Sequence, residues 1–229
     1  MSISSAGPGS PSSTPIRNLL FDLDGTLSDP VVGIVTSVRY ALDKLGHPAP
    51  ADLNWVIGPP LRGAFAKLIG TDDADAVEEA MTVYRERFAT VGLFENEVYP
   101  GIPELLADEH ACGRRLFVAT SKPHVYARRI LEHFELADYF VAIHGCELDG
   151  TRSEKAELLA HLLDVEALDV DETVMIGDRR HDIDGARAVG LRSVAVQYGY
   201  GSAQELADAG PDWTCASVAA LTEWCRETR

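Results

Sequence analysis

Apolar positions along the chain recur with two different spacings, which predict strands and helices in alternation. Short, nearly continuous apolar runs that end at turn residues are typical of strands buried in a parallel sheet. Such runs predict strands at residues 19–21, 116–119, 140–143, 173–176 and 193–196, and a weaker one at 213–215. Helical spacing predicts helices near residues 103–112, 123–133, 154–163, 182–189, 202–209 and 217–226. The alternation predicts the α/β class with a doubly wound parallel sheet.

The segment between residues 30 and 97 interrupts this alternation, because its apolar patterns are all helical and none of it makes a convincing strand. A block of helices lying between strands of one sheet is best explained as an inserted module. We therefore predict a core of residues 16–29 and 98–229 and a helical cap of residues 30–97. Residues 1–15, which are rich in Ser, Pro and Gly, are predicted to form a disordered tail.

The formal net charge of −16 argues against nucleic acid as a binding partner. A nucleic-acid-binding protein needs clustered Lys and Arg, and no such cluster stands out here. No apolar stretch approaches the length of a transmembrane helix, and the first 15 residues lack the basic start and apolar block of a signal peptide. The four cysteines form no CxxC pair, so we expect reduced thiols in the core. These features predict a cytoplasmic protein that binds neither nucleic acid nor membrane.

Two carboxylates, Asp22 and Asp24, directly follow the first predicted strand. Ligands in open α/β sheets gather at the carboxyl ends of the strands, and residues two apart in an extended segment project to the same side. Asp22 and Asp24 should therefore face one site while Leu23 packs inward, with Gly25 turning the backbone. A calcium loop is a poor alternative, because Gly stands fourth rather than sixth and Gly33 occupies the twelfth position where Glu is needed. A plain solvated turn is the other alternative.

Three further polar clusters stand at predicted strand ends or helix starts: Thr120-Ser121-Lys122-Pro123, Gly177-Asp178, and residues 152–155, which include Lys155. Together with Asp22-x-Asp24-Gly-Thr, and in this order, they resemble the haloacid-dehalogenase (HAD) superfamily of phosphohydrolases from about residue 18 to residue 196. Residues 22–30, 57–61 and 175–182 resemble its phosphoglycolate-phosphatase-like group. The resemblance implies a Rossmann-like core with an inserted all-helical cap of the C1 type.

The resemblance also implies roles for the two carboxylates. Asp22 would be the nucleophile that forms a phosphoaspartyl intermediate, and Asp24 would protonate the leaving oxygen and then take a proton from the attacking water. In the dehalogenases that name the superfamily, the position of Asp24 is not an acid, and in the P-type pumps it is Lys. Asp24 therefore favours phosphate-ester chemistry.

A Mg²⁺ cofactor is implied in the same way, with the Asp22 carboxylate, the Asp24 backbone carbonyl and Asp178 as its protein ligands. Asp182 would hold a bound water or orient Lys155. The alternative is that Asp182 compensates the positive end of a helix dipole, a structural role that does not exclude the functional one.

The phosphate group would be bound by Thr120, by Ser121 and by Lys155. The N–H groups of Ser121 and Lys122 are expected to be free at a strand-to-helix turn, where phosphate oxygens bind. The family often has Asn at the position of Ser121, so a side-chain role there is open and a helix N-cap is the alternative. Lys155 would offset charge on the nucleophile and the transferring phosphoryl group.

The sequence thus predicts a Mg²⁺-dependent phosphatase acting on a small phosphorylated metabolite, such as a phosphoglycolate-like compound or a sugar or nucleoside monophosphate. Since the core is committed to phosphate and proton transfer, the cap should select the substrate. Arg62 in the cap could meet a second anionic group, and a solvated helix residue is its alternative. A sugar phosphomutase of the same fold and a catalytically silent binding or regulatory protein are the rival functions.

Overall fold

The computed structural model describes residues 3–5, as backbone only, and residues 15–229. Its strands are β1 (Ile3–Ser5), β2 (Asn18–Phe21), β3 (Ser28–Asp29), β4 (Glu97–Val98), β5 (Arg115–Pro123), β6 (Ala142–Cys146), β7 (Thr173–Gly177), β8 (Arg192–Val196) and β9 (Trp213–Cys215). Its α-helices are α1 (Val31–Lys44), α2 (Leu61–Ile69), α3 (Ala74–Arg87), α4 (Ile102–Ala111), α5 (His124–His133), α6 (Lys155–Val165), α7 (Arg180–Ala188), α8 (Ala203–Ala209) and α9 (Val218–Glu227). Short 3₁₀ turns occupy Asn54–Val56, Ala137–Tyr139 and Val170–Glu172, and a π turn, Phe88–Gly92, continues α3.

One seven-stranded sheet in the order β1-β9-β8-β7-β2-β5-β6 forms the centre of the fold. All its strands are parallel except β1, which pairs antiparallel with β9. The strands are buried on both faces: Leu20 packs with Phe117 and Met175 under α6 and α7, whereas Leu19 and Phe21 face the cluster on the opposite side. The predicted α/β class with a doubly wound parallel sheet is therefore confirmed.

The boundaries of two strands differ from the predicted ones. Strand β6 begins at Ala142 rather than at residue 140, because the 3₁₀ turn Ala137–Tyr139 takes up the approach to the sheet. Strand β5 runs on to Pro123 rather than ending at residue 119, with an irregular register between Thr120 and Pro123. This extension matters for the site, because it carries polar residues beyond the apolar part of the strand.

The helices α1, α2 and α3 form an insertion between β2 and β5, as the helical periodicity predicted. A two-stranded ribbon joins its two borders, with Ser28 opposite Val98 and Asp29 opposite Glu97. Inside the insertion α1 crosses the π turn so closely that a Cβ atom on Gly33 would lie 2.0 Å from the Gly92 carbonyl oxygen. The division into a core and a cap at residues 30 and 97 stays a prediction, and the ribbon lies at those positions.

Two smaller predictions concern the ends and the thiols. Of the predicted disordered tail, residues 1–2 and 6–14 lie outside the described residues, and residues 3–5 form β1. Cys146, Cys215 and Cys225 are free and buried, but Cys112 is exposed, so the expectation of core thiols is wrong for Cys112 because it lies just beyond the end of α4. Among the described helices, none has the length and apolar character needed to cross a membrane.

Candidate active site

The carboxyl ends of β2, β5 and β7 meet at one edge of the sheet, since β2 lies between the other two. Phe21, the last residue of β2, is in register with Val118 and Ile176. The parallel strands therefore deliver Asp22, Thr120 and Asp178 to the same place, where all three are buried.

Asp22 and Asp24 lie in the turn after β2, and both line the same cavity. Leu23 is buried, and its carbonyl oxygen accepts a hydrogen bond from the Leu27 N–H at 2.9 Å. Gly25 has φ +82°, and its N–H donates to the Ser28 carbonyl at 2.8 Å. The turn thus leads directly into the ribbon of the insertion, so the two carboxylates stand at the junction of sheet and insertion.

Asp22 also belongs to a group of three buried carboxylates, together with Asp178 and Asp182. One oxygen atom from each of Asp22, Asp178 and Asp182 lies within 4.8 Å of the others, and all three residues are buried. Burial raises the pKa of Asp178 well above its usual value, and the carboxylates of Asp182 and Asp22 raise it further. Crowded, buried oxygen donors with excess negative charge are the donor set that suits a hard divalent cation.

Lys155, the first residue of α6, is the cation closest to these carboxylates. Its Nζ lies 2.7 Å from Asp182 Oδ1 and 3.3 Å from Asp22 Oδ1, and it donates to the Ala119 carbonyl at 2.8 Å. Burial by itself would lower the pKa of Lys155, but the Asp182 and Asp22 carboxylates outweigh it and raise the pKa. The ammonium group therefore stays charged. Asp182 also accepts the Arg179 N–H at 3.1 Å near the start of α7. The orientation of Lys155, the holding of a water and charge compensation at the helix N-terminus stay predictions for Asp182.

Asp24 has a separate partner, which the sequence reasoning missed. Lys122 Nζ donates to Asp24 Oδ1 at 2.7 Å, and both side chains are buried. Burial raises the pKa of Asp24, and Lys122 opposes this shift. Only the backbone of Lys122 was considered from the sequence. The signal was the two-residue spacing from Thr120, which places both side chains on one side of an extended segment.

The segment predicted to bind phosphate is extended where a turn was expected. Thr120, Ser121 and Lys122 all line the cavity, but they belong to β5, and α5 starts only at His124. The Lys122 N–H is not free, because it donates to the Thr120 hydroxyl at 3.2 Å. The carbonyl of Ser121, in turn, accepts a hydrogen bond from the Cys146 thiol at 3.0 Å.

The loop after β8 encloses Asp178, although the sequence suggested no role for it. The Tyr200 N–H donates to Asp178 Oδ2 at 2.7 Å. A Cβ atom on Gly199 would lie 2.3 Å from the Gly25 carbonyl oxygen and 2.4 Å from Asp178 Oδ2. The Tyr200 hydroxyl donates to Asp29 in the ribbon, so the loop joins the carboxylate group to the border of the insertion. Only the close approach of a Gly backbone permits this packing.

The cavity over Asp22 and Asp24 lies between the sheet edge and the insertion and has about 740 Å³ of empty space, part of it open to solvent. Arg62, predicted to meet a second anionic group, borders it. Its guanidinium group, however, is paired with Glu78 and donates to the Leu148 carbonyl at 3.1 Å. Arg85 shares both partners, with Nη1 3.1 Å from Glu78 and Nη2 2.6 Å from the Leu148 carbonyl oxygen.

The insertion also contacts the core on another side, through Arg179. The Arg179 guanidinium donates to the Ile57 carbonyl and to Glu205 Oε1, the latter at 2.9 Å. Gly58 has φ +101°, and a Cβ atom there would lie 2.7 Å from the Arg179 side chain. The loop before α2 is thus attached directly to the residue that follows Asp178.

Comparison with known proteins places the chain in a family. The family described as haloacid dehalogenase-like hydrolase matches residues 19–196. A 5'-nucleotidase from Pseudomonas aeruginosa is 51% identical over 208 residues, which cover 90% of this chain and 94% of that protein. The structure of a predicted phosphatase from Clostridium acetobutylicum is 41% identical, with a TM-score of 0.89, and covers 94% of this chain and 100% of that one.

Other relatives carry different names. The tyrosine-protein kinase PtkA from Mycobacterium tuberculosis is 43% identical over 196 residues, which cover 85% of this chain and 66% of that protein. Phosphoglycolate phosphatases also match, at 26–30% identity.

The chain therefore belongs to the haloacid dehalogenase-like hydrolases. It is a phosphatase of that family, with a six-strand parallel sheet and a helical insertion consistent with a C1 cap. The predicted superfamily, its phosphoglycolate-phosphatase-like group and the predicted enzyme class are confirmed.

The packing around Asp178 predicts that Gly199→Ala destabilises the protein by roughly 1–3 kcal/mol or more, because the new methyl group overlaps backbone and carboxylate atoms. Gly63→Ala is the matched control, since Gly63 is exposed in α2 and a Cβ atom there meets nothing within 4 Å. The control should raise stability by up to about 1 kcal/mol. Urea unfolding of both variants provides the measurement, and equal stabilities would contradict the close packing.

Proposed function

We propose that the protein is a Mg²⁺-dependent phosphatase that hydrolyses a nucleoside 5'-monophosphate or a closely related sugar phosphate through a phosphoaspartyl intermediate on Asp22. The observation that carries the proposal is the pairing of two carboxylates with two different lysines on one cavity. Lys155 lies 3.3 Å from Asp22, and Lys122 lies 2.7 Å from Asp24. The two carboxylates therefore have different surroundings, as a nucleophile and an acid–base group require.

In the first step an oxygen of Asp22 attacks phosphorus and the bond from phosphorus to the ester oxygen breaks. The leaving oxygen takes a proton from Asp24, whose raised pKa suits it to hold that proton. In the second step water attacks the phosphoaspartate, Asp24 takes a proton from it, and inorganic phosphate leaves. Lys122 limits the cost of charging Asp24 when the proton has been given away.

The phosphoryl group is bound, in this proposal, by Thr120 and Ser121 at the end of β5 and by Lys155. These residues stand on the side of Asp22 that faces β5 and α6, since Lys155 also donates to the Ala119 carbonyl. The ammonium group of Lys155 offsets negative charge on Asp22 and on the phosphoryl oxygens. Asp182 acts through Lys155, which it holds at 2.7 Å.

A Mg²⁺ ion would be held by the carboxylates of Asp22 and Asp178 and by the backbone carbonyl of Asp24. The crowded, buried oxygens of Asp22, Asp178 and Asp182 fit such an ion, because one ammonium group faces three carboxylates there. When bound, the ion supplies positive charge that screens the nucleophile from the phosphate it attacks.

The choice of substrate follows from the insertion side of the cavity and from the 5'-nucleotidase that is 51% identical. The cavity lies between the carboxylates at the sheet edge and the helices of the insertion. Its insertion side is largely apolar and aromatic, which suits a nucleoside better than a two-carbon acid; it includes Val56, Pro59, Met81, Tyr84 and Phe88. Arg62 is proposed to contact the substrate at the rim.

A sugar phosphomutase would use the same phosphoaspartate but return the phosphoryl group to the substrate, and a silent binding protein would do neither. A screen of nucleoside, sugar and phosphoglycolate-type monoesters distinguishes these three functions. The proposal expects free phosphate in stoichiometric amount, with the highest kcat/KM for a nucleoside 5'-monophosphate. Isomerised sugar phosphate without phosphate release would favour the mutase, and no turnover of any monoester would favour the silent protein.

Asp22→Asn should abolish turnover while leaving the fold intact, because an amide of the same shape is a poor nucleophile. Asp24→Asn should slow both steps, so any phosphoenzyme that forms should persist longer than in the wild type. Rapid-quench trapping with labelled substrate measures both variants, and circular dichroism checks their folding. More than a few per cent of the wild-type rate in Asp22→Asn, without deamidation, would remove Asp22 as nucleophile.

Removal of Mg²⁺ by excess chelator should abolish activity, and Ca²⁺ should inhibit because it is larger and takes more oxygen ligands. Asp178→Asn should weaken Mg²⁺ binding at least tenfold in calorimetric titration, a readout that needs no turnover. Asp184→Asn is the control, because Asp184 is a partly exposed carboxylate in α7 that pairs with Arg180 and Arg187, and the variant should bind Mg²⁺ as the wild type does. Full activity in chelator would refute the metal requirement.

Arg62→Ala should lower kcat/KM for the best nucleotide severalfold and change it little for p-nitrophenyl phosphate. Because Arg62 pairs with Glu78 inside the insertion and donates to the Leu148 carbonyl of the core, this variant alone does not separate substrate binding from placement of the insertion. Glu78→Gln separates them, since it removes the ion pair but keeps Arg62. If Arg62 contacts substrate, Glu78→Gln keeps or improves kcat/KM; if both variants lose activity equally on both substrates, Arg62 only holds the insertion in place.

A further inference from the structure

The hydroxyl group of Tyr84 is a buried polar group without a partner. Tyr84 lies near the end of α3, is 2% exposed, and lines the cavity over Asp22 and Asp24. Within residues 15–229 no atom lies within hydrogen-bond reach of its oxygen. Buried hydroxyl groups in proteins are nearly always hydrogen-bonded, so an unpaired one on a residue that lines a cavity calls for a functional explanation.

The ring of Tyr84 is fixed by its aromatic neighbours. Phe65 packs edge-on at 5.8 Å between ring centroids, and Phe88 stacks at 4.9 Å. A phenylalanine would fill the same space without the unpaired oxygen. Packing therefore accounts for the ring and leaves the hydroxyl group unexplained.

The same contacts locate Tyr84 relative to the chemistry. Lys122 Nζ lies 5.2 Å from the centroid of the Phe88 ring and donates to Asp24 at 2.7 Å. Phe88 thus lies between Tyr84 and the lysine that holds Asp24. Burial raises the pKa of Tyr84, and the Asp24 carboxylate raises it further, so the hydroxyl group remains a hydrogen-bond donor. Since Asp24 is the proposed proton donor to the leaving oxygen, Tyr84 stands on the leaving-group side of the cavity.

A second unpaired donor belongs to the next residue of α3. Arg85 Nε is buried and also has no partner among the described residues, although both terminal nitrogens of Arg85 are bonded to Glu78 and Leu148. Arg85 lines the same cavity. Two unpaired donors on residues that line one cavity match a leaving group with several oxygen atoms near the ester, as a sugar has.

We propose that Tyr84 is a specificity-determining residue, whose hydroxyl group hydrogen-bonds a ribose hydroxyl of the nucleoside that leaves, with Arg85 Nε as a neighbouring donor. The inference rests on the proposed phosphatase function and deepens it by naming the part of the substrate that the insertion recognises. A phosphate monoester without such a hydroxyl leaves the Tyr84 oxygen unpaired and is bound less well.

Tyr84→Phe tests the proposal with Tyr40→Phe as its matched control. The Tyr40 hydroxyl is exposed, donates to Glu86 at 2.9 Å, and lies outside the cavity. Tyr84→Phe should lower kcat/KM for a nucleoside 5'-monophosphate about ten- to hundredfold, the effect of losing one buried hydrogen bond. It should leave kcat/KM for phenyl phosphate unchanged, since phenol carries no further hydroxyl. Tyr40→Phe should change neither.

Thermal unfolding separates recognition from a structural role. Removing an unpaired buried hydroxyl should leave the midpoint of Tyr84→Phe unchanged or raise it. A lowered midpoint together with an equal loss of kcat/KM on both substrates would mean that the hydroxyl supports the fold, and would overturn the proposal.

Substrate analogues identify the partner atom. With 2'-deoxy and 3'-deoxy nucleoside monophosphates, the penalty of Tyr84→Phe should disappear for the analogue that lacks the bonded hydroxyl. An undiminished penalty with both analogues would overturn the proposal.

Binding to an inactive protein keeps this inference distinguishable from the proposed reaction. In the Asp22→Asn background, adding Tyr84→Phe should raise the Kd of the nucleoside monophosphate about tenfold in calorimetry. An unchanged Kd, or no binding of the nucleotide at all, would overturn the role of Tyr84. If the wild type instead released no phosphate from either ester while the Kd still rose, the proposed reaction would fail and the recognition by Tyr84 would stand.

Discussion

The structure depends on holding three buried carboxylates next to a single ammonium group. Asp22, Asp178 and Asp182 bring oxygen atoms within 4.8 Å of one another, and Lys155 is in contact with Asp22 and Asp182 but not with Asp178. Uncompensated buried charge is expensive, and the raised pKa of Asp178 expresses that cost. A divalent ion bound to these oxygens, as proposed above, would offset that cost. The ends of the parallel strands β2 and β7 bring these carboxylates together at one edge of the sheet.

The backbone around the carboxylates reflects the same requirement, because side chains are excluded where the charges must approach. A Cβ atom on Gly177 would lie 2.2 Å from the Asp182 carboxylate, and one on Gly25 would lie 2.2 Å from Asp178 Oδ2. Glycine at these positions lets backbone N–H groups and other carboxylates come close to the charged oxygens, as the Tyr200 N–H does. The loop that supplies Tyr200 also reaches Asp29 at the border of the insertion. One short loop thus donates a hydrogen bond to the buried carboxylates and also contacts the border of the insertion.

Much of this could be predicted from the sequence, and what could not has a physical reason. The strands were readable because strands buried on both faces are short continuous apolar runs, and Asp22, Asp24 and Asp178 were readable because they follow such runs directly. The pairing of Lys122 with Asp24 was missed because β5 continues past its apolar part, which no apolar pattern signals. The contact of Arg62 with the Leu148 carbonyl depends on how the insertion sits on the core, since the two residues are 86 positions apart in the chain. The loop around Tyr200 contacts Asp178 through a backbone N–H, and the type of side chain in a sequence does not indicate such a contact.

The unpaired hydroxyl of Tyr84 shows how an insertion made mostly of apolar contacts can still discriminate between substrates. An unsatisfied buried hydroxyl costs about 1–3 kcal/mol, a noticeable fraction of the roughly 5–15 kcal/mol that stabilises a typical domain. The cost is borne by the free protein and by every complex whose ligand lacks a partner for the oxygen. A ligand that supplies the partner removes this cost and gains affinity, whereas a ligand without one gains nothing from the hydroxyl group. Apolar contact with Met81 and Phe88 cannot do this, because a hydrophobic surface accepts any leaving group of suitable size. In the proposed function the core treats all phosphate esters alike, and the insertion selects among them.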